Sequence, residues 1–221
     1  EIAAHAEFPP PRRALADAID AATAAGAAAV ALDLLLVGST GDDARLAAAL
    51  QRNRRAVVAA AVLPDGLAET GPRSVTASQY AMLARSQYPV VLSGDADLRT
   101  VAPDEMLLPD TDFAPDATLG TVSVSVGRDG DLRRLPASMA VGPVPPGSRG
   151  ATVYLPGLAP AALARAKQAD MLLRLPEQGV GGRLEVGSIS VPLDAQGDLP
   201  LVHYGPSGTI PTWPLREAAS A

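Results

Sequence analysis

Ala27-Ala28-Ala29-Val30-Ala31-Leu32-Asp33-Leu34-Leu35-Leu36-Val37 decides how the fold is read. Eleven residues run apolar on both faces with one carboxylate, Asp33, inside them. A run that is greasy on both faces is the mark of an interior parallel strand. Gly26 ahead of it is placed to end a helix in the left-handed conformation. Behind it, Gly38-Ser39-Thr40-Gly41 makes a turn, and Asp42 or Asp43 is placed to cap a second helix.

Working outward, Phe8-Pro9-Pro10-Pro11 fixes an extended lead-in. From Arg12, the spacing of Leu15, Ile19 and Ala22 predicts an amphipathic helix, with Asp17 and Asp20 off its apolar face. Leu46, Ala47 and Leu50 predict the core face of the second helix, and Arg52, Arg54 and Arg55 load its C-terminal turn, where the helix dipole favours cations. Val57–Leu63 reads as the next buried strand, and Pro64-Asp65-Gly66 as its turn. Helix, strand, helix, strand over 12–63 is a parallel, βαβ-type pattern.

Further along, residues 64–88 read as polar and mixed, with a short strand from Tyr88 to Ser93. Residues 95–116 carry Asp95, Asp97, Asp104, Glu105, Asp110, Asp112 and Asp116 against Arg99 alone and read as an acidic surface loop. Leu119–Val126 alternates, which predicts a half-exposed strand with Val122, Val124 and Val126 on one face. After the turn at Arg128-Asp129-Gly130-Asp131, Leu132–Val141 is its expected antiparallel partner, with Arg133 or Arg134 facing inward. Gly142–Gly150 reads as a loop and Leu158–Leu173 as a helix. Arg183–Val186, Ser188–Leu193 and Leu199–Tyr204 read as strands, the last two separated by a turn at Asp194–Gly197. The expected fold is α/β: one domain over 1–221, with a central mixed sheet flanked by helices. The sheet is parallel in the first half and antiparallel in the second.

Composition narrows the function. The 221 residues carry a net charge of −6, which argues against a nucleic-acid partner. No cysteine is present, which excludes disulfides, zinc–thiolate sites and thiol nucleophiles. His5 and His203 are the only imidazoles, too few for a multi-histidine metal site. No phosphate-binding glycine loop and no Gly-x-Ser-x-Gly elbow occurs. No apolar run reaches the length of a membrane span. Neither a catalytic residue, a cofactor nor a metal is expected.

The candidate ligand-binding residues are Arg12, Asp33, Asp43 and Arg134. A carboxylate in a buried strand must find a partner or stay protonated. Asp33 is therefore either a pocket carboxylate at the end of a parallel strand, where α/β sheets bind ligands, or an anchor. As an anchor it would accept backbone N–H groups or pair with Arg12 or Arg13. Arg134 would meet an anionic ligand or pair with an acid. Asp95-x-Asp97 and Asp110-x-Asp112 have alternate spacing but lack a complete calcium loop.

Several segments together resemble the second type of CHASE domain, an extracellular sensory domain associated with bacterial cyclases and histidine kinases. Phe8-Pro9-Pro10-Pro11-Arg12 is similar to its aromatic-Pro-x-Pro-Arg lead-in. Gly26-Ala27 with Ala31-Leu32-Asp33-Leu34-Leu35 is similar to its Gly-Ala…Phe-Asp-Ile-Leu strand. Asp42-Asp43-Ala44-Arg45-Leu46 is similar to its helix start. Asp129-Gly130-Asp131-Leu132-Arg133-Arg134-Leu135-Pro136 is similar to its Asp-Gly-x-x-Arg-Arg-x-Pro turn. Tyr154-Leu155-Pro156-Gly157-Leu158, Val191-Pro192-Leu193-Asp194 and Tyr204-Gly205-Pro206 match its later elements in order.

The resemblance implies an extracytoplasmic input module without catalysis of its own. It would be anchored by membrane segments outside this chain and coupled to a cyclase or kinase, with the family's first strand absent or reduced to residues 1–4. It further implies an unidentified small-molecule or protein signal and a homodimeric receptor. Two other readings stand beside it: an exported hydrolase or carbohydrate-binding domain using 95–116, and a structural dimerisation module.

Overall fold

A computed structural model describes residues 9–63, 74–91, 100–110, 117–124, 130–144, 151–175, 182–202, 205–206 and 208–218. The lead-in before Pro9, the Pro64 turn, the acids Asp95, Asp97, Asp112 and Asp116, and the Arg128-Asp129 turn lie outside the described residues. So do His203 and Tyr204.

Pro11 sits at the N-cap, its ring-fixed φ of −56° leading into α1 (Arg12–Ala24). The helix buries Leu15, Ala16 and Ile19 and ends at Gly26, whose φ of 83° is the left-handed conformation expected of it. Asp17 and Asp20, off that face, pair with Arg45 and Arg52 of α2 (Asp43–Asn53). Leu46, Ala49 and Leu50 of α2 face the core. Ala47 is only half-buried, so the apolar stripe is rotated one step from the expected one.

β2 (Ala56–Val62) is the central strand, with its first five residues fully buried. β6 (Thr118–Thr121) runs parallel along one edge, Val57 opposite Thr118 through Ala60 opposite Thr121. β1 (Val30–Leu32) is parallel on the other edge, opposite Ala56–Val58. β5 (Met106–Leu107) then pairs antiparallel with Val62 and Ala61.

This corrects the reading of Ala28–Val37. Only three of its residues are strand, and among the described residues β1 has a neighbour on one side alone. β5 occupies the stretch of β2 beyond Leu32, so the chain leaves the sheet there, and Leu36 O meets the Asp110 N–H at 3.0 Å. Asp33 is exposed.

Residues 74–91 hold an unexpected helix, α3 (Ala77–Ser86), followed by β3 (Val90–Val91). A capping box starts α3: Thr76 accepts from Gln79 N, and Gln79 Oε1 accepts from Thr76 N. The segment read as an acidic surface loop contains β4 (Thr100–Val101), a 3₁₀ turn (Pro103–Glu105) and β5, and it buries Val101, Met106 and Leu108. Of the described acids there, Glu105 is exposed and Asp104 and Asp110 are half-buried, while Val101, Met106 and Leu108 join the core.

β6 is a buried edge strand, not a half-exposed one: Leu119, Gly120 and Thr121 are all buried. Its serine face turns inward, and Ser123 Oγ accepts the Val62 N–H at 2.7 Å. Val124, on the valine face, is exposed. A Cβ on Gly120 would lie 2.6 Å from Leu158 Cα, so only glycine admits the helix that crosses there.

Leu132–Val141 does not pair with β6. It divides at Ala137 into β7 (Arg134–Pro136) and β8 (Ser138–Val144). β8 lies between β4, parallel, and β9 (Ala151–Pro156), antiparallel. Strand β8 thus extends through Gly142–Val144, where the glycine and proline content predicts a loop.

α4 is shorter than expected, Leu158–Lys167, because Gln168 turns left-handed at φ 50° and the chain enters β10 (Met171–Arg174). β10 sits between β3, parallel, and β11 (Arg183–Val186), antiparallel, which in turn pairs with β12 (Ile189–Pro192). Asp194 Oδ1 accepts from Gln196 N and Asp198 N, making the turn into β13 (Asp198–Pro200), which closes a ribbon with β7. The single turn α5 (Leu215–Ala218) rests on α1.

Two apolar cores result. The larger joins α1, α2 and α3 to the β2 sheet and to β8–β9, and the smaller is built on β10 and β11 around Leu173, Leu184 and Val186. The architecture is mixed α/β, with parallel pairing around β2 and mostly antiparallel pairing later, as the sequence implied.

Candidate functional site

The C-terminal end of β1 is where the sequence placed a pocket. Pro11 delivers Arg12 as the first residue of α1, and Gly38, at φ 78°, turns the chain back toward it. The Arg12 guanidinium donates to Val37 O at 3.3 Å and Gly38 O at 3.2 Å, and its Nε lies 3.4 Å from Asp43 Oδ1. Asp43 Oδ2 accepts from Ser39 Oγ at 2.9 Å and Thr40 N at 2.7 Å, and Oδ1 accepts from Thr40 Oγ1 at 2.8 Å. Asp42 is the N-cap residue of α2, but neither aspartate caps that helix with its side chain. Asp43 instead turns back onto the loop that precedes it.

Burial pushes the Asp43 carboxyl up. The two Thr40 hydrogen bonds, the Ser39 hydroxyl and the Arg12 charge outweigh that and hold it below its ordinary value. A carboxylate with three hydrogen bonds and a guanidinium beside it has little capacity left for a ligand. The pair is a brace between the starts of α1 and α2.

The other two candidates stand elsewhere. Asp33 is exposed after the end of β1 and is not a buried carboxylate. Arg134, on β7, donates to Asp194 Oδ2 at 3.2 Å and Gln196 Oε1 at 3.0 Å. Arg133 also lies at the surface, against Asp131 at 2.8 Å, so neither arginine of that strand turns inward. The short strand ends at the ribbon, and both side chains find acids in water.

The opposite end of the central sheet holds a larger feature. At the N-terminal ends of β2 and β6, a cleft has two adjoining compartments of about 900 and 920 Å³ that share Arg54, Arg85, Thr118 and Arg165. Three helices finish there. Arg54 is the left-handed C-cap of α2 at φ 57°, and Arg85 and Arg165 lie in the last turns of α3 and α4. Arg52 and Arg55 add to the rim.

Arg165 Nε donates to Thr118 Oγ1 at 2.7 Å, and a second guanidinium nitrogen also contacts that hydroxyl. Below the rim, Ser86 Oγ donates to Met82 O at 2.8 Å and accepts the Leu119 N–H at 2.9 Å, fixing the end of α3 to β6. In the sequence, Arg52, Arg54 and Arg55 signal only compensation for one helix dipole. Their convergence with Arg85 and Arg165 follows from packing three helices on one sheet end, and no local pattern encodes it.

Among the described residues no group of His, Cys, Asp and Glu side chains is arranged to hold a metal ion, and no helix is long and apolar enough to cross a membrane. No curated protein and no solved structure matches the chain. The family model described as the CHASE2 domain matches residues 1–220. CHASE2 domains are extracellular sensory domains, and with the match spanning nearly every residue, this chain belongs to the CHASE2 family.

Proposed function

We propose that the chain is the extracytoplasmic input domain of a bacterial membrane receptor. It recognises a small molecule or a partner protein and passes the change to a cytoplasmic cyclase or kinase. Membership of a sensory family along the full match carries this reading. The domain itself catalyses nothing in it, and the receptor is a homodimer held in the membrane by segments other than this chain. The four residues singled out in the sequence divide by role. Arg12 and Asp43 position the loop between β1 and α2, the exposed Asp33 is accessible to a ligand or partner, and Arg134 would have to exchange its contacts with Asp194 and Gln196 to meet one.

The test uses the full-length receptor in membranes. A periplasm-dependent reporter inserted in this domain is expected to be active and a cytoplasm-dependent one silent. Replacing the domain by a neutral spacer is expected to change cyclase or kinase output at least several-fold. A reversed reporter pattern, or output indifferent to the domain, overturns the proposal.

A further inference from the structure

We infer that the arginine cleft at the N-terminal ends of β2 and β6 is a binding site for a small, multiply charged oxyanion, such as a tricarboxylate or a polyphosphate. The chain carries 24 acidic against 18 basic residues. Five of the basic ones, Arg52, Arg54, Arg55, Arg85 and Arg165, nevertheless line this single cleft, with Asp170 the one carboxylate among its lining residues.

An arginine in a last helical turn is ordinarily explained by the negative helix end. That accounts for each residue singly. It does not account for three separate helices delivering theirs to one cavity, where the guanidinium groups repel one another.

The partners differ in a telling way. Arg52 is paired with Asp20, and Arg55 donates to Ala28 O. Arg54 and Arg85 are exposed and have no acid partner among the described residues. Arg165 is held by Thr118, which orients its planar fork before any ligand arrives. Forked guanidinium groups match carboxylate and phosphate oxygens in pairs, and a preoriented one loses less freedom on binding. A cavity of this volume accommodates a small molecule.

This site is independent of how the receptor signals, since binding is read on the 221-residue chain alone. Titration calorimetry with sodium citrate and with sodium pyrophosphate is run against sodium chloride at matched ionic strength. One saturable site is expected for at least one of the two anions, and which one binds identifies the oxyanion class.

The double variant Arg54→Gly, Arg85→Ala is expected to weaken that binding at least tenfold. Glycine is at ease at the left-handed position of residue 54, so the fold is retained, as circular dichroism would register. Arg183→Ala, at an exposed position of β11, is expected to leave the affinity unchanged. Heat no greater than that of chloride for both anions, or affinity undiminished in the double variant, overturns the site.

Discussion

Arg12 Nε stands 3.4 Å from Asp43 Oδ1, with the two side chains only 11% and 12% exposed. The contact joins the first residue of α1 to the first residue of α2 across the whole helix–strand–loop unit between them. Both residues fall in segments that resemble the family pattern, and folding makes them one structural joint.

Asp43→Ala removes the acceptor of three hydrogen bonds and leaves the Arg12 charge largely buried without its carboxylate. Breaking a buried pair from one side costs about 3 kcal/mol. The expected result is a lower urea midpoint at unchanged m value, equivalent to that loss of unfolding free energy, with binding in the distant arginine cleft unchanged. A loss of less than about 1 kcal/mol would show the joint to be decorative.

The same carboxylate sets an acid limit. Its folded pKa lies below the unfolded value of about 3.9, so the unfolded chain takes up the proton first as pH falls. The stabilisation is complete above about pH 5 and is lost as pH drops through the folded value. Asp194, also lowered by its backbone and Arg134 hydrogen bonds against the opposing effect of burial, contributes with the same sign. Asp43→Asn is expected to flatten the fall in stability between pH 5 and pH 2, measured by denaturant titration at each pH.

Asp198 has the opposite sign. Burial and the nearby Asp194 charge raise its carboxyl, against the pull of Arg134. The folded form therefore holds this proton more tightly than the unfolded form, and the ionised group opposes folding at neutral pH. Asp198→Asn is expected to raise the urea midpoint at pH 7 at constant m value. The gain should fade below the unfolded carboxyl pKa, where both states are protonated. A drop at pH 7 contradicts this.

Ser86→Ala strips the Leu119 N–H of its acceptor in the fully buried centre of β6. An unsatisfied buried donor costs about 1–3 kcal/mol. Accelerated amide exchange at Leu119, together with a lower thermal midpoint, is the expected signature. Retained protection there would show that another acceptor takes over.

Gly120→Ala is expected to be the most damaging single methyl. Its Cβ would fall 2.6 Å from Leu158 Cα, a backbone atom that can move only by displacing α4. Overpacking of this kind costs about 1–3 kcal/mol. Calorimetric unfolding that matches the parent would place α4 farther from β6 than the structure does.

Elements with a clear period were legible. α1, α2, β2 and β11 fall where apolar spacing and turn residues put them, because each carries its own local signal. The sequence extends α4 into β10, since Met171-Leu172-Leu173 is an apolar run too short to distinguish helix from strand. α3 has a capping-box signature in Thr76-x-x-Gln79, but its polar, mixed surroundings carry no helical period to go with it. Asp33 misled for a different reason. Apolar residues on both faces imply burial only where other layers cover both faces, and the chain leaves the sheet after Leu32, where β5 takes the next stretch of β2.

From its residues alone, this protein was set as an α/β chain with a parallel start, no thiol or multi-histidine chemistry, and the motif order of a sensory family. Those properties reside in composition and in local periodicity, which survive without knowledge of any contact. Only the tertiary structure decided that Arg12 grips Asp43, that Asp33 faces water, and that Arg54, Arg85 and Arg165 meet in one cleft. Such pairings depend on which helix ends the sheet brings together, and sequence distance carries no trace of that.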